Sequence, residues 1–204
     1  MKHKSLRTWV ITIIACIFIH QVYIAIGTFL PKIADSAGLS IDTLRMAYAD
    51  GNFLVYSSVL LGWLMCGILL YCGGKTEKLT RYGGCLLIAY SVICVGWELI
   101  TLIGRHLSVR LIPMSVNSVL VVVVGVLLSV ALVLLALYYR QRHLLAWSVV
   151  YAVLHTLYMV SLVWARCQAS FSVRLFTING VFAALGLVAL LVYLFKWAKI
   201  LKEK

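Results

Sequence analysis

The chain alternates between long apolar runs and short polar breaks. Apolar residues dominate positions 8–30, 50–72, 82–104, 114–139, 144–165 and 172–196. A hydrocarbon core of about 30 Å needs about 20 apolar residues in an α-helix rising about 1.5 Å per residue, and each run is that long. The pattern predicts an all-α integral membrane protein. It is a bundle of six transmembrane helices forming a single polytopic membrane domain over 1–204, with nothing left over for a soluble domain. The one connection of any length, residues 31–49, carries Asp35, Asp42 and Arg45. Within it, Ser40 precedes Ile41 and Asp42, which reads as an N-cap with an acid in the first helical turn. The second helix is therefore expected to begin near Ile41 and to run along the interface before turning inward.

Composition sharpens this picture. Apolar residues make up 64 % of the chain, charged residues 12 %, and the mean hydropathy is +1.05. A soluble globular domain has about 45–50 % and about 25 %, so that class is excluded, as are a disordered chain, a disulfide-rich scaffold and a coiled coil. The net charge of +12 does not point to nucleic acid, because the basic residues gather at helix ends. With the amino end inside, the inner segments hold Lys2, Lys4, Arg7, Lys75, Lys78, Arg81, Arg140, Arg142, Lys196, Lys199, Lys202 and Lys204, twelve of the eighteen Lys and Arg. The positive-inside rule then predicts both termini in the cytoplasm of a plasma or inner membrane. The apolar stretch after the basic amino end is longer than a secretory h-region, so a retained first span is expected. Of six cysteines, Cys16, Cys66, Cys72, Cys85 and Cys94 fall in predicted spans and Cys167 in a loop. No pair has CxxC spacing, so they read as small packing residues without a disulfide.

One short stretch resembles a known family. Leu30-Pro31-Lys32-Ile33-Ala34 followed by Gly38-Leu39-Ser40 resembles the first outer loop of major facilitator transporters, and six spans would be one half of that fold. The turn between the second and third spans reads Gly73-Gly74-Lys75-Thr76-Glu77-Lys78, in place of that family's acidic-basic glycine signature. The resemblance is confined to the loop.

Polar residues inside a membrane are costly and mark function or pairing. In the first span His20 and Gln21 lie near mid-depth. In the fifth, which runs the same way, His155 reaches a similar depth. Ser148, Tyr151, His155 and Tyr158 recur at three- and four-residue spacing, so they share one helical face, expected to turn into the bundle. The two histidines fit three readings: ordinary interhelical hydrogen bonds, a proton or substrate relay, or a pair of axial ligands to haem. Apart from that haem option, no cofactor or metal is expected. Glu98 is the one acid placed deep within a span. Asp50 and Asn52 open the second span, Asn117 the fourth, and Asn179 lies early in the sixth. Arg105, His106, Arg110, Arg166 and Arg174 border the same outer side. This asymmetry predicts a cavity open to the outer face, with Glu98 at its floor and arginines at its rim, able to take an anionic head group or a small solute. The plainer alternative pairs Glu98 with Arg105 two turns along. Gly180, Ala183, Ala184 and Gly186 form a small-residue strip in the sixth span, which permits close helix approach within the bundle or between chains.

The sequence contains no P-loop, HExxH or nucleophile elbow, so no catalytic residue is assigned. The leading expectation is a permease or pore-type transport protein, or a membrane subunit of such an assembly. A membrane-embedded enzyme or redox subunit, with Glu98, His20 and His155 at work, is the second. A non-catalytic sensory or scaffold subunit docking through its basic tail is the third. The expected partners are the lipid bilayer and either a second copy or another membrane subunit, with no nucleic acid.

Overall fold

The computed structural model describes residues 3–38, 40–74, 77–167 and 173–203. Helices account for nearly all of them: α1 (His3–Gly27), α2 (Leu30–Ala37), α3 (Ile41–Gly73), α4 (Lys78–His106), α5 (Met114–Tyr139), α6 (Arg142–Cys167) and α7 (Val173–Glu203). All but α2 are long and apolar enough to span a bilayer. The chain is an integral multi-pass membrane protein, as the hydrophobic pattern predicts.

The first part of the connection at 31–49, expected to be a loop up to Ser40, holds a short helix instead. α1 stops at Gly27, and Pro31 enters the first turn of α2, where its missing N–H costs nothing. Gly38 ends α2 at φ 63°, a left-handed position that glycine occupies without a Cβ penalty. α3 then begins at Ile41, as expected, although the Ser40 hydroxyl makes no capping bond. At 33 residues, α3 is longer than the bilayer requires, so its first turns extend beyond the apolar run. α6 continues to Cys167, where a loop is expected.

The six long helices form a closed ring in chain order. α1 packs on α3, α3 on α4, α4 on α5, α5 on α6, α6 on α7, and α7 returns to α1. Short connections favour such antiparallel neighbours. Both termini consequently lie at one end of the ring.

That end is tightly closed. Its enclosed side chains come from the first halves of α1, α4 and α6 and from the second halves of α3, α5 and α7. Leu6, Trp63, Leu87, Leu135, Leu144 and Trp197 are each no more than 1 % exposed. Lipid tails are as apolar as leucine, so helices gain little by hiding apolar surface from them; contact density and interhelical hydrogen bonds hold the bundle instead. Two features supply this. Gly67 of α3 and Gly84 of α4 face each other so closely that a Cβ on Gly84 would stand 2.7 Å from the Gly67 carbonyl oxygen and 2.7 Å from the Tyr71 nitrogen. The Tyr193 hydroxyl of α7 donates to the Leu132 carbonyl of α5 at 3.0 Å.

The opposite half is sparsely packed. Among the described residues, its enclosed apolar side chains are fewer: Ile17, Ala34, Ala49, Cys94, Val121, Val124 and Met159.

Candidate functional site

The polar groups of the spans collect around mid-depth, on helix faces set by their spacing. On α3, Asn52 and Tyr56 are four residues apart. On α4, Tyr90, Cys94 and Glu98 follow at the same interval. On α6, Tyr151, His155 and Tyr158 do so at four and three. The ring of Tyr56 packs on His20 of α1 at 5.1 Å between centroids, and Asn52 sits beside the same imidazole. Tyr56 lies close to Tyr90 and Cys94 of α4, with Glu98 nearby. Tyr90 in turn lies near Tyr151 of α6. The tyrosines therefore join α3, α4 and α6 by side chains that reach inside the ring.

His155 is held between two phenols. Its ring stacks on Tyr151 at 5.3 Å and leans on Tyr158 at 5.6 Å. It lies flat against α5 because residue 125 is glycine: a Cβ there would meet His155 Nε2 at 2.7 Å and collide with Met159 Sδ.

A cavity of about 590 Å³ opens beside this face, between α1, α6 and α7. Gln21, Tyr151, His155 and Tyr158 supply its polar wall. Gly180, Ala183, Ala184 and Gly186 supply its smooth wall, with Leu187 and Leu190 toward the closed end. Ligand sites commonly have about 300–1,000 Å³ and a few convergent polar groups in an apolar lining, and this cavity matches both. A second cavity, about 460 Å³, lies at the end opposite the termini between α4 and α5. Thr101, Arg105, Ser108, Arg110 and Asn117 line it.

Comparison with known proteins places the chain in no group. It matches no family model, no curated protein and no solved structure.

The structure divides the polar half that the sequence treats as one cavity. Gln21, Tyr151, His155, Tyr158 and the small-residue strip come together in the larger cavity. Arg105, Arg110 and Asn117 come together in the smaller. Glu98 lines neither; Tyr56, Cys94 and Arg105 are the groups near it. Among the described residues Glu98 has no ion pair within 4 Å. The two histidines, matched in depth, go to different neighbours: His20 to Tyr56 and Asn52, His155 to the larger cavity. Asp50 pairs with His106, whose Nε2 donates to Oδ1 at 2.7 Å across the ends of α3 and α4. Ser161 donates to Asn179 Oδ1 at 3.1 Å, fastening α6 to α7. The side chains of Arg166, Cys167 and Arg174 lie outside the described residues.

The small-residue strip makes no tight crossing. Gly180 has no neighbour within 4 Å of its would-be Cβ, and Gly186 meets Leu154 of α6 at an ordinary 3.9 Å. The tight crossing is at Gly67 and Gly84. Sequence reasoning also missed Tyr56, Tyr90, Cys94, Gly125 and Met159. The four-residue spacing of Asn52 with Tyr56, and of Tyr90 with Cys94 and Glu98, is a signal that could have found the first three. Among the described residues no three His, Cys, Asp or Glu side chains gather as a metal site.

Proposed function

We propose that this protein is a permease-type carrier that binds a small amphipathic solute in the cavity between α1, α6 and α7. The observation that carries this reading is the difference between the two ends of one ring. A packed floor of Trp63, Tyr193 and Trp197 closes the end with the termini, while a cavity with a Gln-Tyr-His-Tyr wall occupies the looser half. A carrier needs a site that reaches one side at a time; a static pore needs a continuous path, which the buried tryptophans oppose. The wall suits a solute with hydrogen-bonding groups on one edge and an apolar body. Gln21 offers a donor and an acceptor, the phenols and imidazole can each do either, and Ala183, Ala184 and Gly186 leave room for the body.

The test is uptake without a chosen substrate. Proteoliposomes are incubated with a small-molecule extract of the expressing cells, washed, and their contents read by mass spectrometry. Wild-type vesicles should enrich at least one compound over protein-free vesicles. Ala184→Trp, which fills the cavity without touching the packed end, should abolish that enrichment. Equal contents in all three preparations would count against transport.

A second reading, an embedded enzyme, draws on one observation. His155 lies between the phenols of Tyr151 and Tyr158, an arrangement in which a proton could pass along three adjacent groups. A compound that changes mass when incubated with the protein, and does not do so with His155→Ala, would favour it over carriage.

A further inference from the structure

The polypeptide leaves α4 through a turn whose side chains do not suit water. α4 ends in three overlapping bonds: the Leu107 nitrogen donates to the Ile103 carbonyl at 3.0 Å, the Ser108 nitrogen to that of Arg105 at 3.0 Å, and the Val109 nitrogen to that of Gly104 at 2.8 Å. Ser108 takes a left-handed φ of 53° to close them. These bonds make the turn a built feature, with its carbonyls satisfied. Yet it displays Leu107 at 61 %, Val109 at 55 % and Leu111 at 45 % exposure. Arginines interleave with them at positions 105 and 110, both exposed. The turn follows directly on the long apolar helix α4, and the end of a span is where a bilayer passes from acyl chain to head group.

Behind the turn is the cavity of about 460 Å³ lined by Thr101, Arg105, Ser108, Arg110 and Asn117. Among the described residues neither arginine forms an ion pair within 4 Å. The nearest acid along the chain, Glu98, is seven residues down the helix and lies outside the cavity lining. Two guanidinium groups, two hydroxyls and an amide thus surround one space with no carboxylate in its lining. Arginine is the side chain whose planar fork fits phosphate oxygens in pairs.

We propose that this cavity binds the phosphate group of an anionic phospholipid, with the acyl chains lying over Leu107, Val109 and Leu111. The guanidinium groups of Arg105 and Arg110 take the phosphate, Ser108 and Asn117 the remaining head-group oxygens. A free anion would use the arginines but leave the apolar turn uncovered; a lipid uses both. The site is separate from the cavity between α1, α6 and α7, so its occupancy does not depend on the carrier reading.

Native mass spectrometry of the detergent-released protein tests this, with phosphatidylglycerol, phosphatidylcholine and inorganic phosphate as the three probes. The wild type should retain one phosphatidylglycerol more tightly than it retains phosphatidylcholine. It should show no retained inorganic phosphate at the same concentration. An arginine near a membrane surface contributes about fivefold in affinity for acidic lipid. Arg110→Gln should therefore weaken that adduct by about fivefold, and Arg105→Gln with Arg110→Gln by about thirtyfold. Leu107→Gln with Leu111→Gln should weaken the lipid adduct while leaving both arginines in place. The single Arg110 variant alters an exposed side chain with no ion-pair partner, so it stands as a test even if the double variant fails to fold. Equal retention of phosphatidylglycerol by wild type and Arg110→Gln would overturn the site. Inorganic phosphate retained as tightly as the lipid would overturn the lipid assignment.

Discussion

The two ends of the helix ring are built from similar residues yet do different things. At the end with the termini, glycines bring α3 and α4 into backbone contact, and large side chains fill the middle of the ring. At the other end, the glycines and alanines of α7 face empty space, and the interior is lined by Tyr, His and Gln. Small residues therefore have no fixed meaning in a membrane helix. Gly67 and Gly84 let backbones touch. Gly180 and Ala184 leave a cavity because the side chains opposite them are held elsewhere, Tyr151, His155 and Tyr158 being stacked on one another along α6. The packed half leaves its side chains little room; the open half leaves space beside the α6 and α7 faces.

Six substitutions sharpen this contrast, and reversible unfolding in mixed detergent micelles reads each of them. The largest effect is expected for Trp63→Ala, which empties a site 1 % exposed and should cost about 3–5 kcal/mol. Its counterpart in the open half, Trp164→Ala, removes a ring 58 % exposed and should change stability by no more than about 0.5 kcal/mol. If the two cost the same, the halves do not differ as described. Next is Gly84→Val. The added atoms would force α3 and α4 apart at their closest crossing, for about 1–3 kcal/mol. By contrast, Gly180→Val enters open space and should be nearly neutral. Tyr193→Phe deletes one interhelical hydrogen bond and should cost about 0.6 kcal/mol, the average for such bonds in a membrane bundle. A small effect is also expected for His106→Ala. Its contact with Asp50 is about half exposed on both sides, where a polar pair contributes no more than about 1 kcal/mol and salt weakens it further.

The elements were largely legible in the chain, and their arrangement much less so. Six apolar runs, the Ser40 to Asp42 helix start and the inward face of Ser148, Tyr151, His155 and Tyr158 all follow from helical geometry. Those features are local, within one or two turns. Which helix neighbours which is not local. Moreover, lipid-facing and packed positions are equally apolar: Val181 is 50 % exposed and Leu194 fully enclosed, yet the residues themselves do not say so. For the same reason, Glu98 could be singled out as a buried acid, but its company of Tyr56 and Cys94 could not be named from spacing. His20 and His155 share a depth, and depth alone cannot give the azimuth that sends one to α3 and the other to the cavity. The helix at Leu30–Ala37 was obscured because short amphipathic helices at a surface carry the polar composition of a loop.

The central claim, a ring closed at the end with the termini and open at the other, is tested most directly by cysteine accessibility. In a cysteine-free background, Ala184→Cys places a thiol in the cavity and Ala189→Cys places one in the packed half, where Ala189 is 1 % exposed. Vesicles of each orientation, identified by a tag on the carboxyl terminus, are treated with a membrane-impermeant maleimide. Residue 184 should label rapidly from the face opposite the tag and slowly from the tagged face, and residue 189 should resist labelling from both. Labelling of residue 184 at equal rates from the two faces, or of residue 189 as fast as residue 184, would contradict the account.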